Sequence, residues 1–192
     1  VPGGWTLAKI KAEPNGIDLG PNVPRAAEAV CTPTGRIQLA HPYIFADVAR
    51  LADRMDHPDT GLVLVSRRHM RSKNSWMHNV KVLVKGKDRC TLIIHPDDAA
   101  RSGVRDGDQA TVTSEVGSIE VPVEVSDEML PGVVCLPHGW GHDKVGTRLS
   151  VAREHAGVNN NRIAPGRLVD PLSGNAVVNG IPVEVTSVSV SV

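Results

Sequence analysis

From Gly61 onward the chain alternates short apolar runs with turn residues, at a spacing too close for long helices. Residues 62–65, 80–84, 90–95, 109–114, 118–125, 133–136 and 181–190 each read as a strand, rich in Val, Ile and Leu and bounded by turn formers. The first, LVLV between Gly61 and Ser66, shows no polar alternation, so both of its faces are expected to be covered. Residues 118–125 behave differently: Ile119, Val121, Val123 and Val125 occupy every second position, which directs one face into a core. The turns are specific. Asp106, Gly107 and Asp108 make a tight turn into Gln109, and residues 115–118 (EVGS) make a hairpin turn. His95 and Pro96 open a short helix with Asp97 or Asp98 as its N-terminal acid, and Gly103 ends it.

Residues 1–60 follow another pattern. Eleven Pro and Gly residues between Pro2 and Pro42 leave no room for a long element before Ile44, where IFADVARLADRM offers one amphipathic helix over about residues 44–55, ended by His57 and Pro58. We therefore read 1–60 as a lead-in arm and 61–192 as one barrel domain. Composition supports a mainly β protein with a few short helices: Phe and Tyr occur once each and Trp three times, while Val, Gly and Pro are abundant. The first residue is Val1, not Met, and the chain reads as a piece of something larger.

Charge narrows the function. The 21 basic and 21 acidic residues cancel, so no global field recruits nucleic acid or an anionic membrane, and neither is expected as a partner. Cys31, Cys90 and Cys135 are odd in number and far apart, which argues against a disulfide scaffold, a zinc knuckle or an iron–sulfur cluster held by this chain. Cys90 and Cys135 read as small buried hydrophobes. No apolar run approaches the roughly 20 residues of a membrane span and no signal peptide opens the chain, so a cytoplasmic location is expected.

Against this neutral background one segment is cationic. In LVLVSRRHMRSKNSWMHN, Arg67, Arg68, Arg71 and Lys73 fall within seven positions, interleaved with Ser66, His69, Asn74, Ser75, His78 and Asn79 and with no carboxylate. Guanidinium forks and amides of this kind suit a phosphate or diphosphate and the edge of a ring. Four cations with few apolar anchors between them should also repel one another, so the loop is expected to be ordered by its ligand. A second segment, PHGWGH, frees the backbone for close approach at Gly139 and Gly141 and offers the Trp140 ring to a planar heterocycle. His138 and His142 lie four apart, but two glycines and a proline oppose a helix there, so a ligand-lining loop is favoured over a metal pair. Asn159, Asn160 and Asn161 can read a pterin or guanine edge, or can simply form a turn. Asp97 and Asp98 are explained by helix capping, and Asp106 and Asp108 by the turn.

The segments HPDDAARSGVRDGDQATVTSEVGSIEVPVEVSDEMLPGVVCLPHGWGH and VNNNRIAPGRLVDPLSGNAVVNGIPVEV, with the basic loop before them, resemble the C-terminal molybdopterin dinucleotide-binding domain of the molybdopterin oxidoreductases. That group includes dimethyl sulfoxide reductases, nitrate reductases and formate dehydrogenases. The resemblance covers about residues 60–192, and IDLGPNVPR and TPTGRIQL in the arm resemble the segment preceding that domain. It implies a double-psi β-barrel that holds molybdopterin guanine dinucleotide, in a bis form with molybdenum or tungsten in the parent enzyme. The implied cofactor-binding residues are Ser66, Arg67, Arg68, Arg71, Asn74, Ser75, His78, His138, Gly139, Trp140, His142, Asn159 and Asn161, with Asn161 or Asn159 against the pterin. The implied partners are the upstream domains of the same parent chain, which carry the metal ligand and the iron–sulfur cysteines; no segment here resembles those. The isolated domain is thus expected to lack the cofactor and to be inactive alone. Two alternatives remain on the residues themselves: a protein-interaction barrel of the same fold, and a small metal-binding protein using His138, His142 and His155.

Overall fold

The computed structural model describes residues 4–58 and 61–188. The chain divides into two units, 1–46 and 47–192. The first carries three short helices, α1 (Leu7–Ala12), α2 (Ala26–Ala29) and α3 (Pro42–Phe45), none with a buried residue. The single helix expected over 44–55 is in fact two, α3 and α4 (Val48–Asp56). Pro42 starts the first of these at its first position, and Asp47 stands at the N-cap position of the next, its carboxylate accepting from the Arg50 guanidinium at 2.7 and 2.8 Å and from no amide of the helix.

In the second unit six strands close a barrel: β1 (Leu62–Arg67), β2 (Leu92–Ile94), β3 (Gln109–Ser114), β4 (Gly117–Val125), β5 (Val133–Pro137) and β6 (Ile181–Ser187), in the spatial order β1-β5-β2-β4-β3-β6. β1 runs parallel to β5 and β2 parallel to β4, while the remaining neighbours are antiparallel. This is the double-psi β-barrel that the resemblance implies. Alternation fills the inside: Ala110 and Val112 of β3, Ile119, Val121 and Val123 of β4, and Ile181, Val183 and Val185 of β6 point inward. Modest side chains suit so narrow a barrel, and each fully buried Val, Leu or Ile contributes about 1.5–3 kcal/mol. β1 is less enclosed than its sequence suggests, since Leu64 alone is buried and its neighbours are half-exposed. The expected end of the last strand, residues 189 and 190, lies outside the described residues.

Two sequence expectations are corrected. Residues 80–84 do not form a strand; Lys81–Val84 close one helical turn, α5, with the Val84 and Lys85 amides bonded to Val80 O and Lys81 O. β1 already pairs on both edges and the barrel is closed without them, so this β-branched run finds no partner strand and buries only Val84. The cap of α6 (Pro96–Ser102) is not an aspartate either. His95 caps it, its Nδ1 accepting from the Asp97 amide at 3.1 Å, and Gly103 ends the helix at φ 67°. Asp98 is buried instead: its carboxylate accepts from Gly132 N at 2.7 Å and from Arg101, which ties α6 to the turn before β5. Asp106 and Asp108 do hold their turn, accepting from Val125 N and Arg105 N. Of the two inner cysteines, Cys135 lies in β5, whereas Cys90 precedes β2, its sulfur accepting from Val158 N at 3.3 Å.

Removing the buried Asp98 carboxylate leaves the half-buried Gly132 amide without its acceptor and returns the exposed Arg101 guanidinium to solvent. Asp98→Ala should lower the unfolding free energy by about 2–3 kcal/mol, and Asp97→Ala, at an exposed side chain, by less than about 0.5 kcal/mol, read from denaturant titrations.

Candidate cofactor-binding site

Parallel pairing of β1 with β5 puts Arg67 beside Pro137, so the loops that leave the two strands emerge at the same end of the barrel. They are stitched together there. The Ser66 hydroxyl and His138 Nδ1 are 3.0 Å apart, His138 Nε2 is 2.9 Å from Asn74 Oδ1, and Arg68 donates to that same oxygen at 2.5 Å. An amide oxygen only accepts, so His138 donates from Nε2, and in that tautomer its Nδ1 accepts from the Ser66 hydroxyl. Ser66 N donates to Asn179 Oδ1 at 2.7 Å, which fixes the end of the strand. Lys73 and Asn74 both adopt positive φ, 40° and 60°, a conformation that asparagine tolerates.

The two glycines of PHGWGH serve close approach between protein segments. A Cβ on Gly139 would lie 2.6 Å from Asn74 O, and one on Gly141 would lie 2.6 Å from Asn159 Cβ. Residues 137–142 therefore run between the basic loop and the asparagine triplet, and bring the three segments onto one end of the barrel. Asn159 Oδ1 caps a 3-10 turn (Asn160–Ile163) by accepting from Asn161 N at 3.0 Å. Asn161 is exposed, whereas Asn160 is buried with its Oδ1 unpartnered.

Beneath this rim lies an aromatic block. His78, 1% exposed, stacks on Trp140 at 3.9 Å between centroids, and its Nδ1 is 2.8 Å from His142 Nε2. His78 Nε2 and Trp140 Nε1 are buried without a protein partner. Burial first, and then the neighbouring His142, lower the pKa of His78 to about 4; burial lowers that of His142 as well. Trp140 belongs to the hydrophobic core, so one face of the ring expected to meet a heterocycle meets His78. His78, with buried Ser72, also gives the basic loop an anchor that its sequence does not advertise.

The cations divide between two faces, because consecutive strand residues point opposite ways. Ser66 faces His138. Arg67 turns away and donates to Cys135 O, Arg89 O and Thr91 Oγ1 at 3.0 to 3.2 Å, so its guanidinium is engaged by the barrel itself. Arg71 lies with Arg67 and His69 along a separate groove. Ser75 is half-exposed beside Gly139. Sequence reasoning missed Asn179 and did not single out Asn160 within the asparagine triplet. The Asn179-Gly180 turn before β6 was a usable signal for the first, whereas nothing local separates Asn160 from its neighbours.

Residues 62–182 match the family described as Molydopterin dinucleotide binding domain. The chain belongs to this family. It is 34% identical over 93 residues to a putative catalytic subunit of a dimethyl sulfoxide reductase from Halobacterium salinarum, covering 48% of this chain and 11% of that protein. It is 32% identical over 150 residues to the molybdopterin-containing subunit of an arsenate respiratory reductase of Chrysiogenes arsenatis, covering 70% of this chain and 17% of that one. The chain thus spans less than a fifth of the length of either relative. Among solved structures, acetylene hydratase from Pelobacter acetylenicus superposes with a TM-score of 0.61 at 17% identity, over 82% of this chain and 24% of that one, a likeness of fold.

The metal alternative gains nothing from the geometry. His138 bonds Ser66 and Asn74 while His142 bonds His78, and among the described residues no group of three or more His, Cys, Asp or Glu is placed to hold a metal ion. Among the same residues, no helix is long and apolar enough to cross a membrane.

The buried imidazoles make the domain sensitive to acid. A histidine whose pKa is depressed by folding supports the native state fully above its unfolded value near 6.5 and loses that support as pH falls toward the folded value. Stability should therefore fall by on the order of 2–3 kcal/mol between pH 6.5 and about 4, and His78→Phe should remove most of that dependence. Denaturant unfolding across this range, for both proteins, checks it.

Proposed function

We propose that this chain holds the pterin and nucleotide parts of molybdopterin guanine dinucleotide within a larger molybdenum or tungsten oxidoreductase. The observation that carries the reading is the relay Ser66–His138–Asn74–Arg68, with Gly139 and Gly141 pressed against the neighbouring segments, because it brings three stretches distant in sequence to one barrel end. The donor set fits the group. Residues 66–79 contain no carboxylate, and the exposed Arg68 and Lys73 offer charge to a diphosphate, while Ser75 and Asn161 offer short polar side chains to a ring edge. The orphaned Asn160 Oδ1, together with Trp140 Nε1 and His78 Nε2, leaves buried polar capacity beneath the same rim.

When bound, the metal–pterin supplies the redox chemistry. This chain's residues bind and orient. Arg68, already fixed on Asn74, presents a guanidinium with donors to spare, and His138 keeps Asn74 in place in its left-handed conformation. The Trp140–His78 stack provides a rigid floor. The bis form of the cofactor, the upstream domains as partners and the lack of turnover by this domain alone are parts of the same reading. A cytoplasmic location is another, supported by three free cysteines.

The reading is tested on the parent oxidoreductase. Arg68→Ala removes a charge-assisted contact worth roughly 1.5–3 kcal/mol and should lower cofactor affinity about tenfold or more, with Asn161→Ala weaker in the same direction. Guanine nucleotide released by acid from purified enzyme gives the loading, and thermal melting controls for fold. Undiminished loading of both variants would overturn the assignment.

A further inference from the structure

On the face opposite Ser66, the 85–89 turn and the ends of β1, β2 and β4 enclose an open groove of about 390 Å³. Arg67, His69, Arg71, Lys85, Lys87 and Arg89 line it, against only Asp88 and Glu124. Five lysines and arginines thus face two carboxylates. The charge is held in place. Arg67 donates to Cys135 O, Arg89 O and Thr91, and Arg89 donates to Leu83 O and Lys85 O, so both guanidiniums are fixed by neutral acceptors, and Glu124 is the carboxylate whose charge reaches Arg67. Glu124 is shared between Lys87 at 3.2 Å and the Thr91 hydroxyl at 2.8 Å. Burial, and after it the charges of Arg89, Arg71 and Arg67, push the pKa of His69 down.

We propose that this groove is a docking site for an acidic polypeptide segment of a partner protein, separate from the rim that takes the cofactor in the reading above. Three features select this occupant. No aromatic ring other than the His69 imidazole lines the groove, so there is no platform for a nucleobase. The rigid guanidiniums have already committed N–H groups to backbone carbonyls, so they supply a field but no vacant converging fork of the kind a compact phosphate requires. Arg71 and Lys85, with Lys87, whose ammonium meets Glu124 and keeps further N–H groups, stand on exposed side chains along the groove and match carboxylates spaced along a peptide.

The experiment uses the full 192-residue chain and a fluorescein-labelled peptide of alternating Glu and Gly, followed by anisotropy. Binding should be weak, should decline steeply with added salt, and should fall at least tenfold in the double variant Lys85→Glu, Lys87→Glu. The milder Lys85→Gln, Lys87→Gln pair should fall less, and thermal melting confirms that both variants are folded. A Gln–Gly peptide should not bind. Guanosine diphosphate should leave the bound peptide in place; displacement by it would make the groove part of the cofactor rim and overturn the proposal. Tighter binding of inorganic tripolyphosphate than of the peptide, or full peptide affinity in the charge-reversed variant, would overturn it equally.

Discussion

The parallel pairing of β1 with β5 is the constraint on which the site depends. Antiparallel neighbours send consecutive loops to opposite ends of a sheet, whereas two parallel strands in register deliver both following loops to the same end. Here the register Ser66↔Leu136 and Arg67↔Pro137 places the SRR segment beside the PHGWGH segment although some 70 positions separate them. The serine, histidine, asparagine and arginine relay is then a local consequence, short side chains meeting across a gap that the barrel has already set. The glycines follow from the same closeness, since a side chain on Gly139 or Gly141 would collide with Asn74 or Asn159.

Legibility from sequence tracks how local each cause is. The hairpin of β3 and β4 is readable almost to the residue because period-two alternation and its turn lie within one continuous stretch. Residues 80–84 mislead because their β-branched composition is compatible with a strand, and only the closed barrel denies them a partner. Asp98 misleads because its position suits a cap, while the amide that claims it, Gly132, is 34 residues away. In the site the residue types are legible but their division is not. Ser66 and Arg67 are adjacent in sequence and belong to opposite faces, a fact that follows from strand geometry only once the strand is known to continue through Arg67.

A chain with no net charge can still carry two strongly directional surfaces. Charge cancels over the whole sequence but not over the 66–89 segment, where Arg and Lys outnumber the single acid, Asp88. The fold separates these cations instead of pooling them. Arg68 is delivered to the rim, where it is bound to Asn74, while Arg67 and Arg89 are anchored on carbonyls of the barrel wall. Anchoring by neutral acceptors fixes a guanidinium without cancelling it, which gives a steady field at modest desolvation cost.

The histidines complete this separation. At neutral pH His78, with its pKa near 4, is uncharged, and burial pushes His142 in the same direction, so the Trp140 block under the rim is disposed against adding positive charge to the one that Arg68 supplies. Were both imidazoles protonated, the 2.8 Å contact between them would lose its acceptor and set two cations against each other in a buried place. Acid therefore acts on the floor of the site before it acts on the rim: the guanidiniums keep their charge, and what fails is the packing that holds them in position. Any loss of ligand grip at low pH should thus follow loosening of the His78–Trp140 stack, whose ring contact at 3.9 Å is the sole aromatic tie between the basic loop and the glycine-rich segment among the described residues apart from His142.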